Sequence, residues 1–275
     1  MTAPLPQRPS REWHEQWSLF TDEAEFLFHE WIAPVTLESF RGLSVLEGGC
    51  GGGHHTALLA QVAARVTAVD LNTADLAALA NLGRGNVEVL AGDLATMRLP
   101  RQFDAVVCVG VIHHTDDPDA TFENLYAHTR PGGLLVIWAY SAEGNALVRY
   151  GVEPLRKLLL RRLPRRVLVG LARLLTRKLW LLAHTVYRLP FLSFLPYHQY
   201  LAGFRRLPFR RNTLNVFDKL NAPQTRFLTR RDVERWFSRE RFEAGSISIR
   251  HHAGVSYSLS GVRRRDGGAL REVRG

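Results

Sequence analysis

The chain has 275 residues, 46% hydrophobic and 23% charged, which excludes a disordered chain and suits one large α/β domain with an elaboration, or two small domains. Its net charge of +10 is uneven: residues 149–211 hold 15 Lys and Arg against Glu153 alone, a balance of +14, and the remaining 21 bases and 25 acids give −4. That division excludes a uniformly basic nucleic-acid binder and implies one local surface with an anionic partner.

Residues 1–10 contain three prolines and read as a loose arm. The opening MTAPLPQRPSREWHEQW lacks the apolar segment of a signal peptide. Residues 11–32 space aromatics and leucine at helical intervals and predict one or two cap helices. From Arg41 to Asp70 the order is strand LSVLE, glycine turn GGCGGGHH, helix TALLAQVAA, strand RVTAVD. Helix NTADLAALANLG and strand NVEVLAG follow, ending near Asp93. Next come strand FDAVVCVG, loop VIHHTDDPD, helix ATFENLYAHTR, an RPGG turn and strand LLVIWAY. Strands alternating with helices predict a parallel sheet with helices on both faces. The runs VTAV, DAVVCV and LLVIW do not alternate strictly, as expected for strands covered on both sides.

Residues 145–211 break this rhythm with a leucine-rich basic helical stretch and an aromatic, proline-interrupted one. A helix is predicted from near Thr229 (TRRDVERWF), then strands FEAGSISIRHH and AGVSYSLSGVRR. The expected organisation is an N-terminal arm and cap helices (1–40), a core (41–144), a basic helical insertion (145–211), the C-terminal part of the core sheet (212–265) and a disordered tail (266–275). The two cysteines, Cys50 and Cys108, fall at strand ends. They read as reduced packing residues in a cytoplasmic compartment.

The stretch SVLEGGCGGGHHT places a carboxylate and a run of glycines directly after a strand. Glycine lets a ligand approach the backbone and permits positive φ. The loop presents free N–H groups at the sheet's C-terminal edge. The dinucleotide fingerprint G-x-G-x-x-G is incomplete, because His54 stands where its last glycine belongs. What is present is Glu47-x-Gly49-x-Gly51-x-Gly53. An acid at that junction opposes a pyrophosphate and favours a cationic ligand.

With these features the sequence resembles the class I S-adenosylmethionine-dependent methyltransferases. FDAVVCVGVIHH and RPGGLLVI match further motifs of that family. The run VIHHTDDPDATFENLYAHTRPGG is similar to its ubiquinone/menaquinone-biosynthesis-type branch. The resemblance covers roughly residues 40–140, with a weaker echo to about 262. It implies a Rossmann-like, doubly wound, mostly parallel seven-stranded sheet with a reversed last strand. It also implies a helical insertion between strand five and the last helix. S-adenosylmethionine is the implied cofactor, held by Glu47, Gly49, Gly51 and Gly53. Asp70 would hold the ribose hydroxyls and Asp93 the adenine amino group, beside Leu71, Leu94 and Gly110.

The chemistry implied is in-line methyl transfer to a small or lipophilic acceptor at oxygen, sulfur or carbon. Positioning in a dry site supplies most of the acceleration. His113 and His114 follow the fourth strand at the lip of the site. One of them orients or deprotonates a hydroxyl or thiol, or the pair shapes the loop and meets cofactor through backbone. His54 and His55 are expected to pack at a helix N-terminus. Adjacent histidines on a strand point to opposite faces, so no metal site is expected. Trp13, Trp17 and Phe20 form either a lid or a core stripe. Tyr140 and Asp218 join Trp17 and Phe20 as substrate candidates, with a surface turn as the alternative for Asp218 and Lys219.

Three readings stand for 149–211: a substrate lid, a peripheral contact at the inner membrane surface, or RNA. A transmembrane span is excluded, because the longest uncharged helical piece, Leu179 to Tyr187, falls far below the ~20 residues required. Nucleic acid is disfavoured: the loop after strand four reads GVIHH, not an Asn/Asp-Pro-Pro-aromatic run, and no Pro-Cys nucleophile occurs. The rival functions are an S-adenosylmethionine-binding module without turnover, an RNA methyltransferase using the basic insertion, and an NAD-type oxidoreductase.

Overall fold

The computed structural model describes residues 25–71, 85–222 and 224–265. The helix predicted over 72–83 and the candidates Trp13, Trp17 and Phe20 lie outside the described residues.

A seven-stranded sheet has the order β3-β2-β1-β4-β5-β7-β6. Its strands are β1 (Ser44–Gly48), β2 (Arg65–Asp70), β3 (Val87–Ala91), β4 (Phe103–Val109), β5 (Thr129–Tyr140), β6 (Ser248–His252) and β7 (Ser256–Val262). The first five run parallel, and β7 inserts antiparallel between β5 and β6. This is the doubly wound sheet with a reversed last strand that was expected. The order reverses between β1 and β4, so their C-terminal ends part and leave a crevice for ligand.

Both faces of the sheet are covered, which explains the absence of strict alternation in the apolar runs. On one face Val45, Val66, Ala105, Val107 and Val136 pack against α1 (Glu25–Ile32) and α2 (His54–Val62). On the other, Leu46, Val106, Leu135 and Ile137 meet Phe122 and Leu125 of α3 (Pro118–His128). Asp117 caps α3, accepting the N–H groups of Asp119 and Ala120, as an acid at this position should.

After β5 the chain forms a helical insertion with a core of its own. It comprises α4 (Glu153–Leu158), α5 (Arg165–His184), α6 (His198–Phe204) and α7 (Phe209–Asn221), closed around Leu168, Ala172, Leu201, Phe204, Leu214 and Phe217. The insertion does not end at Arg211, because α7 runs unbroken through that expected boundary to Asn221. Helix α8 (Arg230–Trp236) begins where predicted, on a capping box between Thr229 and Asp232.

Two smaller expectations are corrected. The segment Arg130–Gly133 is not a separate turn but the irregular start of β5. There Gly132, at φ +75°, lends its N–H to the Arg263 carbonyl. Strand β6 starts only at Ser248, because Ala244–Ser246 coil into a 3-10 turn.

Candidate active site

The chain leaves β1 through Gly49, Gly51 and Gly53, with φ of +79°, +48° and +77°. L side chains enter this left-handed region only under strain. A Cβ on Gly49 would stand 2.3 Å from Val111 Cγ2, so the loop after β4 closes on bare backbone there. The Gly51 N–H donates to Asp70 Oδ2 at 2.8 Å, which ties the glycine loop to the end of β2. Asp93 is fixed by the Ala95 N–H, which donates to its Oδ1 at 2.9 Å. Between these loops opens a cleft of about 1480 Å³, its mouth included.

Gly49, Gly51, Asp70, Leu71, Asp93, Leu94 and Gly110 all line this cleft. Glu47 and Gly53 do not. Glu47 belongs to a strand covered on both faces and is only 2% exposed. Its Oε2 accepts the hydroxyl of Thr56 on α2. Burial pushes its carboxyl up to about 7, against the Thr56 hydrogen bond and with help from the Asp70 charge. The acid therefore sits behind the loop and not at its mouth. The carboxylates on the wall are Asp70, Asp93, Asp116 and Asp218. A diphosphate would meet repulsion from these carboxylates, whereas a sulfonium amino acid meets opposite charge. The residues present fit S-adenosylmethionine.

At the other end the structure separates the two histidines. His114 lines the cleft. His113 is 1% exposed, and neither of its ring nitrogens has a hydrogen-bond partner among the described residues. Its ring packs 4.3 Å from Tyr140 and 4.1 Å from His114. Burial holds His113 neutral, with a pKa well below the ordinary histidine value. His113 is therefore a packing residue, and of the pair only His114 lines the cleft.

His114 is held from the far side of the insertion. Its Nδ1 lies 2.8 Å from the Gln224 carbonyl oxygen. A carbonyl only accepts, so Nδ1 carries the proton and Nε2 the lone pair. Nε2 stands 3.8 Å from Asp218 Oδ1, on α7. Burial lowers the His114 pKa, while the Asp218 charge and the Gln224 carbonyl oppose that fall. The other oxygen of Asp218 accepts the Tyr140 hydroxyl at 3.0 Å. Asp218 and Tyr140 thus line the cleft as expected, but bonded to each other. Lys219 does not line it; its Nζ lies over the Tyr140 and Tyr200 rings at 5.1 and 5.2 Å and donates to the Asn215 carbonyl at 3.2 Å. The segment after α7 clamps the histidine loop: the Arg226 N–H donates to the His113 carbonyl at 2.8 Å, and Gln224 Nε2 donates to that of His114 at 3.1 Å.

Sequence reasoning missed Trp31, Trp138, Arg211, Asn215 and Gln224, which also line the cleft. Trp138 had a signal, since it precedes Tyr140 by two on a strand and must share its face. Trp31 joins it from α1, with ring centroids 4.6 Å apart. His55 does pack as expected, its ring 4.7 Å from that of Phe28, but both His54 and His55 also reach the cleft wall.

Residues 46–137 match the family model described as "Methyltransferase domain". Among curated proteins, the chain is 36% identical over 115 residues to an uncharacterised protein of Synechococcus sp., covering 38% of this chain and 27% of that one. It is 33% identical over 128 residues to the ubiquinone biosynthesis O-methyltransferase of Pseudomonas entomophila, covering 44% of this chain and 55% of the relative. The chain thus spans about half the length, or less, of these relatives. Among solved structures, it is similar to the N-methyltransferase NodS of Bradyrhizobium japonicum with bound S-adenosyl-L-homocysteine, at 23% identity and a TM-score of 0.45 over 53% of this chain and 79% of that one. A methyltransferase of Mesorhizobium loti overlays at 26% identity and a TM-score of 0.35 over 37% of this chain and 48% of that one. The matched segment runs from within β1 to within β5 and contains the glycine loop, Asp70, Asp93 and the histidine pair. Residues 46–137 of the chain thus carry a methyltransferase domain.

Proposed function

We propose that the protein transfers a methyl group from S-adenosylmethionine to a hydroxyl of a small, lipophilic acceptor. The observation that supports this most is His114, a residue of the cleft wall whose Nδ1 proton is fixed by the Gln224 carbonyl and whose Nε2 stands 3.8 Å from Asp218 Oδ1. Gly49, Gly51, Asp70, Asp93 and Leu94 would hold the cofactor, which supplies an electrophilic methyl on a sulfonium. A hydroxyl acceptor arrives protonated and is a poor nucleophile, so it needs a base within reach. His114 Nε2 takes that proton. The imidazolium so formed faces Asp218, which lowers the cost of the charge. Trp31, Trp138 and Tyr140 give the acceptor an apolar, aromatic seat and keep water out. The relatives named ubiquinone biosynthesis O-methyltransferases support an oxygen acceptor with lipophilic character.

The same proposal places the protein on the cytoplasmic side, in peripheral contact with the inner membrane through residues 149–211. The net +14 of that segment supports the contact. No helix among the described residues is long and apolar enough to cross a membrane.

The test uses methyl-labelled S-adenosylmethionine with an alkylated catechol, an alkyl thiol and an alkylamine as acceptors. Label should enter the catechol. His114→Gln should lower kcat ~10²–10⁴-fold while leaving S-adenosylhomocysteine affinity unchanged. Equal turnover by the variant, or label entering only the amine, would refute the assignment.

A further inference from the structure

Helix α5 has two apolar faces, and the fold explains only one. Leu168, Ala172, Thr176 and Ala183 are buried in the core of the insertion. On the opposite side Val167, Leu174 and Leu181 stand 49%, 52% and 60% exposed. They recur every seven residues, close to two turns, so they form one stripe along the helix. Arg166, Arg173, Arg177 and Lys178 flank the stripe and are all exposed, and the helix contains no acid. The chain then continues through Leu189, Phe191 and Phe194, which are 42%, 71% and 77% exposed. Among the described residues, the large apolar side chains that stand exposed all fall between Leu147 and Phe209. The remainder of the described surface keeps its large apolar groups covered.

We infer that the Val167–Leu174–Leu181 face of α5, continued by Phe191 and Phe194, docks on an anionic lipid bilayer. The inference rests on the peripheral contact proposed above and assigns that contact its face and its lipid chemistry. An aliphatic stripe with cations along its edges suits the boundary between headgroups and acyl chains. Leucine and phenylalanine enter the acyl region, while arginine and lysine stems lie flat and carry their charges to lipid phosphates. The alternatives explain half of the surface each. RNA would account for the arginines, but not for a row of exposed aliphatic groups. A second copy of the chain would bring two segments of net charge +14 together, which repel.

Co-sedimentation of the full chain with sucrose-loaded vesicles tests this. The chain should bind phosphatidylcholine–phosphatidylglycerol vesicles, bind pure phosphatidylcholine weakly, and release with added salt. Leu174→Glu with Leu181→Glu should lower partitioning ~10-fold or more, and so should Arg173→Glu with Arg177→Glu. Leu174→Ser with Leu181→Ser repeats the test should the charged pair disturb folding, as judged by thermal unfolding. Failure to bind any vesicle would overturn both the peripheral contact and this face. Binding that ignores lipid charge, or survives every variant, would overturn the face and lipid chemistry while the peripheral contact stands. Capture of a fluorescent single-stranded RNA by a chain that leaves vesicles unbound would overturn both in favour of nucleic acid.

Discussion

Replacing Gly49 with alanine perturbs the point on which the cofactor loop is built. Holding a residue with a Cβ at φ +79° costs about 1–2 kcal/mol. The new methyl would also meet three Val111 atoms at 2.3, 2.5 and 2.7 Å, and relieving such overpacking adds about 1–3 kcal/mol. The two effects sum to roughly 2–5 kcal/mol. For a chain of this size that lowers the melting temperature by roughly 4–20 °C. Val111 follows the Gly110 turn and precedes the histidines, so its displacement also disturbs the cleft from the β4 side. Cofactor affinity should fall with stability. Gly170, on the outer side of α5 with nothing within 4 Å of its missing Cβ, is the control. Alanine there should stabilise by about 0.4–1 kcal/mol. The assay is thermal unfolding by circular dichroism, paired with titration of S-adenosylhomocysteine. A Gly49→Ala protein that melts with the wild type and binds cofactor equally would refute the account of this loop.

Two further substitutions address charge. Asp218 raises the His114 pKa against the effect of burial, so Asp218→Asn should move the acidic limb of the kcat–pH profile to lower pH. A limb that stays in place or moves up would exclude Asp218 as the partner of the base. Glu47 ionises near 4.5 when unfolded and about 7 when folded. A carboxyl raised in this way favours the fold while protonated, and that contribution, roughly 3 kcal/mol, is present below pH 4.5 and lost between there and pH 7. Stability should therefore decline across this window and decline less in Glu47→Gln. Superimposable pH profiles from the two proteins would contradict the buried carboxyl.

The frame of the site was legible because it follows from short-range rules. The ends of β1, β2 and β4 mark themselves by glycine or aspartate after an apolar run, and a parallel sheet must gather such ends along one edge. Glu47 shows where that reasoning stops. Its position one residue before the glycines suggested a carboxylate facing the ligand, but the strand's alternation sends it inward to Thr56. The histidine pair was visible as a pair; which member faces the cleft depends on a turn only the fold specifies. Gln224 and Asp218 were the least legible in role, since they reach His114 across more than a hundred residues of chain through the return of α7. The break at Arg211 was misplaced because charge density changes there while helix α7 continues.

The central claim is that the cleft between the ends of β1, β2 and β4 holds an adenosyl amino acid. Isothermal titration of the intact chain with S-adenosylhomocysteine measures this directly. The account predicts one site per chain, strong weakening by Asp70→Ala and no competition from NAD. No heat of binding, affinity indifferent to Asp70→Ala, or displacement by NAD would contradict it.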